Sequence, residues 1–254
     1  MSDDGTYLIN RKNGYGQRGG GGLLEHSDDD DRKGFIVKVY VILTTQLVLT
    51  FGSVAMVTCS DSMRDNLRDS DNVTALVFLI ICSILAIVIQ CMLFCCRANA
   101  RKVPLNYILL LVFTACEAYM ITWIGAQYEK EAVLMAAVYT SVITIVLSLY
   151  ACFTKADFTK LCGRWTIFAL LLIITIQLTL SIITMVIWEA NGTYVPLVAG
   201  FCVILYGLFL IIDTQLIVGG KRHELSLDDY IIGALILYID IIMIFLELLK
   251  IFGR

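Results

Sequence analysis

Apolar residues fill seven long blocks of the chain, each about 20 residues long and bounded by short polar segments. The blocks lie near residues 37–57, 74–96, 105–127, 132–153, 166–188, 196–218 and 230–250. An α-helix of this length crosses the hydrocarbon core of a bilayer, which is about 30 Å thick. The blocks lack the two-residue alternation of barrel strands. The pattern therefore predicts an all-α, polytopic membrane protein with seven spans.

The first 34 residues differ from the rest in composition. They contain a glycine run, Gly19 to Gly22, and an aspartate run, Asp28 to Asp31. Such a segment buries too little apolar surface to offset the entropy of ordering its chain. We therefore predict a disordered tail over residues 1–34, followed by a transmembrane domain over residues 35–254.

The overall composition agrees with a membrane protein. Of 254 residues, 59% are hydrophobic and 16% charged, where a soluble domain carries about 25% charged residues. The net charge of −3 and the lack of a basic face argue against a nucleic-acid partner. No H-E-x-x-H, Ser/His/Asp or Cys/His pattern is present. An enzyme is thus the least favoured class, and no cofactor is expected.

Lysine and arginine are unevenly divided between two sets of loops. With the N-terminus inside the cell, the cytosolic segments hold eleven and the opposite loops hold three. The eleven are Arg32, Lys33, Lys38, Arg97, Arg101, Lys102, Lys155, Lys160, Arg164, Lys221 and Arg222; the three are Arg64, Arg68 and Lys130. Because cytosolic loops carry the excess of positive charge, the N-terminus is predicted to be cytosolic.

Three further features bear on this topology. Asn191, in Asn191-Gly192-Thr193, falls on the non-cytosolic side and is a candidate N-glycosylation site. Seven full spans place Arg254 outside, whereas the basic Lys250 and Arg254 favour the cytosol. A seventh segment that enters the membrane and returns is therefore the alternative. Cys95 and Cys96 are juxtamembrane candidates for palmitoylation, with free thiols as the alternative.

Two aspartates interrupt the last two blocks. Asp213 lies in the sixth block and Asp240 in the middle of the seventh. Acidic residues inside a membrane usually face the bundle interior or water and mark functional sites. Consecutive antiparallel helices should pack together, although counting from their shared loop staggers the two residues by roughly 7 Å. Helix tilt or a half-unwound seventh helix would bring them together.

Facing carboxylates in a medium of low dielectric constant cannot easily both ionise, so the two would share one proton. Such a pair responds to pH and can transiently bind Ca²⁺, which prefers oxygen ligands. The alternative is structural: each aspartate bonds a serine, threonine or arginine of a neighbouring helix and stabilises the bundle.

Other charged residues near the spans are accessory candidates. Glu117, in the third block, either lines an ion path or pairs with a basic residue at a span end. Glu247 lies on the same helical face as Asp240 and three residues before Lys250, which makes it a candidate i,i+3 partner of that lysine. Arg97 and Arg101 either anchor the second span at the interface or reach inward to the carboxylates.

The carboxyl-terminal third carries a recognisable set of motifs. They are Asp213-Thr214-Gln215-Leu216 with Gly219-Gly220-Lys221, then Leu237-Tyr238 with Asp240-Ile241-Ile242, and Phe252-Gly253. The entry to the first span, Phe35-Ile36 with Lys38-Val39-Tyr40, agrees with them. In these residues, and over nearly all of 35–253, the chain resembles the transmembrane Bax-inhibitor-motif family, and most of all its lifeguard branch.

The resemblance implies a seven-helix bundle with the last helix at its centre. It also implies a pH-sensitive Ca²⁺ leak from intracellular stores and inhibition of apoptosis. The family's two-aspartate sensor maps onto Asp213 and Asp240, and its cytosolic arginine latch onto Arg97 or Arg101. Ile212 and Met243 stand where the family often has Tyr and Asn, so the partners of the pair are not carried over.

Two functions remain in competition at this point. One is a pH-gated Ca²⁺ leak channel, whose partners are the lipid bilayer, Ca²⁺ and protons. The other is a regulatory membrane scaffold that binds ion channels or death-pathway receptors, with a structural role for the aspartates. The resemblance places either one in the endoplasmic reticulum or the Golgi, with the plasma membrane as a further possibility.

Overall fold

A computed structural model describes residues 21–69, 73–161, 194–220 and 225–253, which are helical apart from short connections. The all-α class is confirmed for this part of the chain, in which no strand occurs. The fifth predicted span, near residues 166–188, and the predicted glycosylation site Asn191 lie outside the described residues.

The described ranges contain eight α-helices and one short 3₁₀ helix at Phe158–Leu161. The α-helices are α1 (Gly21–Cys59), α2 (Asp61–Arg68), α3 (Val73–Cys95), α4 (Arg97–Arg101), α5 (Leu105–Ala126), α6 (Lys130–Phe153), α7 (Tyr194–Val218) and α8 (Tyr230–Phe252). Six of these are long and apolar enough to span a membrane: α1, α3, α5, α6, α7 and α8. They confirm six of the seven predicted spans.

Helix α1 differs from the prediction at its start. It begins at Gly21, so residues 21–34 are helical although the composition places them in a disordered tail. Phe35 is buried and Arg32 reaches across to another helix, so tertiary contacts stabilise this part of α1 beyond the apolar block. Residues 1–20 lie outside the described ranges.

The described helices differ strongly in burial. Of the 18 most apolar consecutive residues of each helix, 78% are buried in α8 and 22% in α3. Helix α8 packs against α1, α5, α6 and α7, most extensively against α7. Its large side chains Tyr238 and Phe245 are fully buried, whereas α3 exposes apolar side chains such as Ile87. A lipid-facing helix needs no polar face, which explains why α3 is apolar all round.

The connections between helices gather at two opposite ends of the bundle. At one end, here named the Asp229 end, Arg101 of α4 binds Asp229 at the start of α8. At the other, here named the Gly253 end, the ring of Tyr128 packs against Gly253 at the finish of α8. Helix α8 therefore runs unbroken from end to end, and it does not enter and return as the alternative reading of the seventh segment supposed.

Helix α2 closes the Gly253 end by binding the connection between α5 and α6. Arg64 Nη2 donates to the carbonyl oxygen of Tyr128 at 2.6 Å, and Arg68 Nε donates to that of Ala126 at 2.6 Å. Both arginines also pair with the carboxylate of Glu129, each at 3.4 Å. The neighbouring Arg68 and Arg64 hold the pKa of Glu129 below its ordinary value. Arg64 and Arg68 therefore join α2 to the α5–α6 connection through contacts within the protein.

Candidate functional site

The aspartates of the last two blocks meet between α7 and α8. Asp213 lies on α7 and Asp240 on α8, and their carboxyl groups approach within hydrogen-bonding range. The two side chains therefore meet although counting from the shared loop staggers the residues by roughly 7 Å. Since α8 is a continuous helix, no unwinding is needed for this contact.

The aspartate pair is buried in the α7–α8 interface. Asp240 is 7% exposed, and its Oδ2 atom is buried without a hydrogen-bond partner among the described residues. A hydrogen bond between two carboxyl groups requires one proton, because two ionised groups have no donor and repel each other. Contact between the two carboxyl groups is thus favourable when the pair holds one proton.

A tyrosine and a glutamate extend the polar contact toward the Gly253 end. Tyr206 precedes Asp213 by seven residues, and Glu247 follows Asp240 by seven, so each lies two turns further along on the same helix face. Tyr206 is close enough to interact electrostatically with both Glu247 and Asp240. The antiparallel helices therefore present two matched polar levels. Tyr206 was missed from the sequence, although its spacing from Asp213 is a usable signal.

Glu247 pairs with Lys250, as its i,i+3 spacing suggested. Lys250 Nζ lies 2.8 Å from Glu247 Oε1. The Glu247 side chain is only 3% exposed, so this is a partly buried ion pair. It lies near Tyr128, which packs against the finish of α8. Polar groups thus continue from the aspartate pair toward the Gly253 end.

Glu117 belongs to a second polar cluster between α1, α5 and α8. It lies near Tyr238 and forms no ion pair within the described ranges, so the predicted pairing with a basic residue is not seen there. The Tyr238 hydroxyl bonds Thr50 Oγ1 at 2.8 Å. Gln46 Nε2, one turn from Thr50, donates to Thr114 Oγ1 at 3.0 Å. Glu117 therefore faces a hydroxyl-rich interior seam.

The candidate latch residue Arg101 does not reach the aspartate pair. Its Nε and Nη2 atoms donate to Asp229 Oδ1 and Oδ2 at 2.7 and 3.0 Å. Asp229 precedes Asp240 by eleven residues, which is about 16 Å along a helix. The bidentate contact with Asp229 raises the pKa of Arg101 above its ordinary value. Arg101 thus holds the start of α8. Of the other candidate, Arg97, only the backbone in α4 is described.

Two polar residues at the Asp229 end were missed as site residues. Arg32 of α1 donates to three backbone carbonyl groups at the finish of α7 and in the loop that follows. Gln215 is buried; its Oε1 accepts from Phe158 N at 2.9 Å, and its Nε2 donates to Ala156 O at 3.0 Å. Such long-range contacts to backbone groups leave no spacing signal in a sequence.

The other candidate chemistry is limited. Within the described ranges no group of three or more His, Cys, Asp or Glu side chains is placed to hold a metal ion. A Ca²⁺ at Asp213 and Asp240 would therefore have only two carboxylates from these ranges, whereas Ca²⁺ takes six to eight oxygen ligands. Cys95 and Cys96 are exposed free thiols at the junction of α3 and α4.

Membrane-length helices that pack around a buried acidic pair define a polytopic α-helical membrane protein. The chain belongs to the Bax inhibitor family: residues 32–254 match the family model described as "Inhibitor of apoptosis-promoting Bax1". Protein lifeguard 3 is 32% identical in Mus musculus, over 223 residues, and 33% identical in Homo sapiens, over 224. Each match covers 87% of this chain and 69% of the relative.

A viral relative matches over a similar range. The Golgi anti-apoptotic protein of Vaccinia virus (strain Lister) is 30% identical over 219 residues, which cover 86% of this chain and 84% of the relative. The resemblance to the Bax-inhibitor-motif family and to its lifeguard branch is confirmed by these matches.

Proposed function

We propose that the protein is a pH-gated Ca²⁺ leak channel of intracellular membranes that inhibits apoptosis. The observation that carries the proposal is the contact of Asp213 with Asp240 inside the α7–α8 interface. A carboxyl group inside a membrane costs free energy, so such groups usually mark functional sites. Contact between two of them also requires a proton. The names of the lifeguard and anti-apoptotic relatives support the cellular role.

The gate works through the shared proton. When the aspartate pair holds one proton, its hydrogen bond keeps α7 and α8 together and the path closed. When the proton leaves, two negative charges face each other in a medium of low dielectric constant, and the helices separate. The exposed carboxylates then attract a Ca²⁺ ion, which keeps most of its water because two carboxylates fill only part of its coordination shell.

The path continues toward the Gly253 end. Tyr206 and Glu247 form the next polar level of the same interface, about 10 Å further along. Glu247 contributes a further oxygen ligand when Lys250 moves aside. Glu117 and the hydroxyl groups near Tyr238 provide polar surface on the other side of α8. In this proposal Glu117 and Glu247 are accessory acids, and the aspartate pair is the sensor.

The proposal also includes the membrane topology, the cellular compartment and the partners of the protein. The complete domain is a seven-helix bundle with α8 at its centre, which accords with the burial of α8 and with a seventh span near residues 166–188. The N-terminus is cytosolic, because the Asp229 end carries most of the lysine and arginine. Residence in the endoplasmic reticulum or Golgi accords with the Golgi protein among the relatives. Apoptosis regulators or ion channels are the expected protein partners.

The direct test is Ca²⁺ flux through purified protein in liposomes between pH 5 and pH 8. We expect flux to rise with pH in the native chain and to become independent of pH in the Asp213→Asn/Asp240→Asn variant, which cannot ionise. Asp228→Asn is the matched control, because this exposed carboxylate lies on the loop before α8.

Either result is informative if folding is verified. Circular dichroism and a monodisperse elution profile establish that the native and variant proteins are folded. Native flux that does not change with pH would refute the sensor. No flux above empty liposomes from folded protein would refute the channel and favour the scaffold, with a structural role for the aspartate pair.

A further inference from the structure

Arg32 binds the end of the helix that carries Asp213. Its Nη2 donates to Leu216 O at 2.7 Å, its Nε to Val218 O at 3.3 Å and its Nη1 to Leu225 O at 2.7 Å. The last carbonyl groups of a helix have no partner within the helix, and a cation there also interacts favourably with the helix dipole. One guanidinium group thus caps α7 and joins it to the loop that leads to α8.

A glycine at the same place admits the guanidinium group. Gly219 has φ +78°, and a Cβ atom on it would lie 2.7 Å from Arg32 Nε. The next residue, Gly220, also has a positive φ, +70°, but a Cβ atom there would meet nothing within 4 Å. Only Gly219 is therefore required for the close approach of Arg32, while both share the left-handed conformation that favours glycine.

Arg32 and the carbonyl groups that it binds, here named the clamp, lie about one helical turn from the aspartate pair. Asp213 precedes Leu216 by three residues, which is about 4.5 Å along α7. The Leu225 amide also donates to Leu216 O, at 2.8 Å, so the loop folds back on the same turn that Arg32 holds. A displacement of this turn therefore moves Asp213 relative to α8.

We propose that Arg32 is a positioning residue that holds the end of α7 and the α7–α8 loop so that Asp213 stays against Asp240. This rests on the proposed leak function, in which contact of the pair is the closed state. The N-terminal third of α1, which contains Arg32, thereby acts on the gate. Arg101 binds a different group, Asp229, so the two arginines are separate clamps on the same connection.

Hydrogen exchange of the loop tests the clamp without any flux measurement. The Gly219 amide donates to Gln215 O and the Leu225 amide to Leu216 O. In Arg32→Ala we expect both amides to exchange about tenfold faster. The variant lacks the charged hydrogen bonds of Arg32, so local opening of the loop no longer has to break them. Lys33→Ala is the matched control: Lys33 has the same charge, is 67% exposed and pairs with Asp30.

The two glycines provide a second, independent comparison. Gly219→Ala should reproduce the effect of Arg32→Ala, because its methyl group displaces the guanidinium. Gly220→Ala introduces similar backbone strain without displacing the guanidinium. The loop amides should therefore exchange more slowly in Gly220→Ala than in Gly219→Ala. Arg32→Lys should be intermediate, since one ammonium group cannot reach three carbonyl groups with the planar geometry of a guanidinium.

Liposome flux connects the clamp to the gate. If the closed state loses a tenfold preference, basal Ca²⁺ leak at pH 6 should rise by up to about tenfold in Arg32→Ala and Gly219→Ala, but not in their controls. Unchanged exchange in Arg32→Ala would overturn the clamp. Faster exchange with native leak would overturn its action on the aspartate pair. If the native protein carries no flux, the channel proposal fails, and exchange still decides whether Arg32 holds the loop.

Discussion

Removal of Arg101 should destabilise the start of α8 by an amount that the burial of its partner sets. The Asp229 side chain is 2% exposed and that of Arg101 is 41% exposed. An exposed ion pair contributes about 0.2–1 kcal/mol, whereas loss of one partner from a buried pair costs about 3–5 kcal/mol. Arg101→Ala leaves the buried Asp229 carboxylate without these two donors, so we expect a loss larger than that of an exposed ion pair and smaller than that of a fully buried one.

Thermal unfolding in detergent measures this loss. For a domain of this size, 1 kcal/mol corresponds to about 2–4 °C, so the unfolding temperature should fall by more than the roughly 4 °C that an exposed ion pair could contribute at most. Arg101→Lys keeps the charge but loses the bidentate geometry, so its unfolding temperature should fall by about half as much. Lys102→Ala is the control, because this exposed neighbour also removes one positive charge.

A double-mutant cycle identifies the group on which Arg101 acts. Arg101→Ala and Asp229→Asn should be less than additive, since each removes the same interaction. Arg101→Ala and Asp213→Asn should be additive, because Arg101 does not contact the aspartate pair. An unfolding temperature of Arg101→Ala equal to that of Lys102→Ala would refute the magnitude, and strong coupling to Asp213 would refute the assignment.

Two further predictions concern the interior seam and the Gly253 end. Thr50→Val and Tyr238→Phe should each cost about 1–2 kcal/mol, while the double variant should cost less than their sum, because each single change leaves one buried hydroxyl without its partner; additive losses of unfolding free energy would contradict this. Glu129 stabilises the α2 contact only while ionised, and its pKa is lowered in the folded state, so its contribution is present above its ordinary pKa of 4.5 and lost as pH falls through the lower folded value. The stability difference between native protein and Glu129→Gln should thus be constant from pH 8 to pH 5 and shrink as the pH falls below 4.5; a difference that does not shrink with falling pH would contradict the ion pair.

Several sequence predictions depended only on local patterns, and these agree closely with the structure. Six of the predicted spans match helices whose ends differ by no more than two residues, apart from the start of α1. Lipid imposes one answer on a long apolar block, because each backbone polar group must be satisfied within the segment. The i,i+3 pair of Glu247 with Lys250 could be predicted for the same reason, since helix geometry alone places the two side chains together.

Other features could not be read from local patterns. Composition suggested disorder up to residue 34, but Arg32 finds its carbonyl partners about 184 residues away in the chain. Arg101 was a candidate for the aspartate pair, yet Asp229 lies nearer and accepts hydrogen bonds from its Nε and Nη2. Neither contact follows from spacing, because backbone carbonyl groups are present at every residue and a sequence does not show which of them are left unpaired.

The sequence by itself determined that the protein lies in a lipid bilayer, that it is helical, and that two acidic residues interrupt its apolar blocks. Those follow from apolar block length and from the high free-energy cost of a carboxylate in lipid, both of which are properties of single segments. The tertiary structure decided that α8 is the most buried of the described spans, that Asp213 and Asp240 meet in spite of their different depths, and that arginines clamp both ends. These depend on the register and packing of helices far apart in the chain, which no single segment encodes.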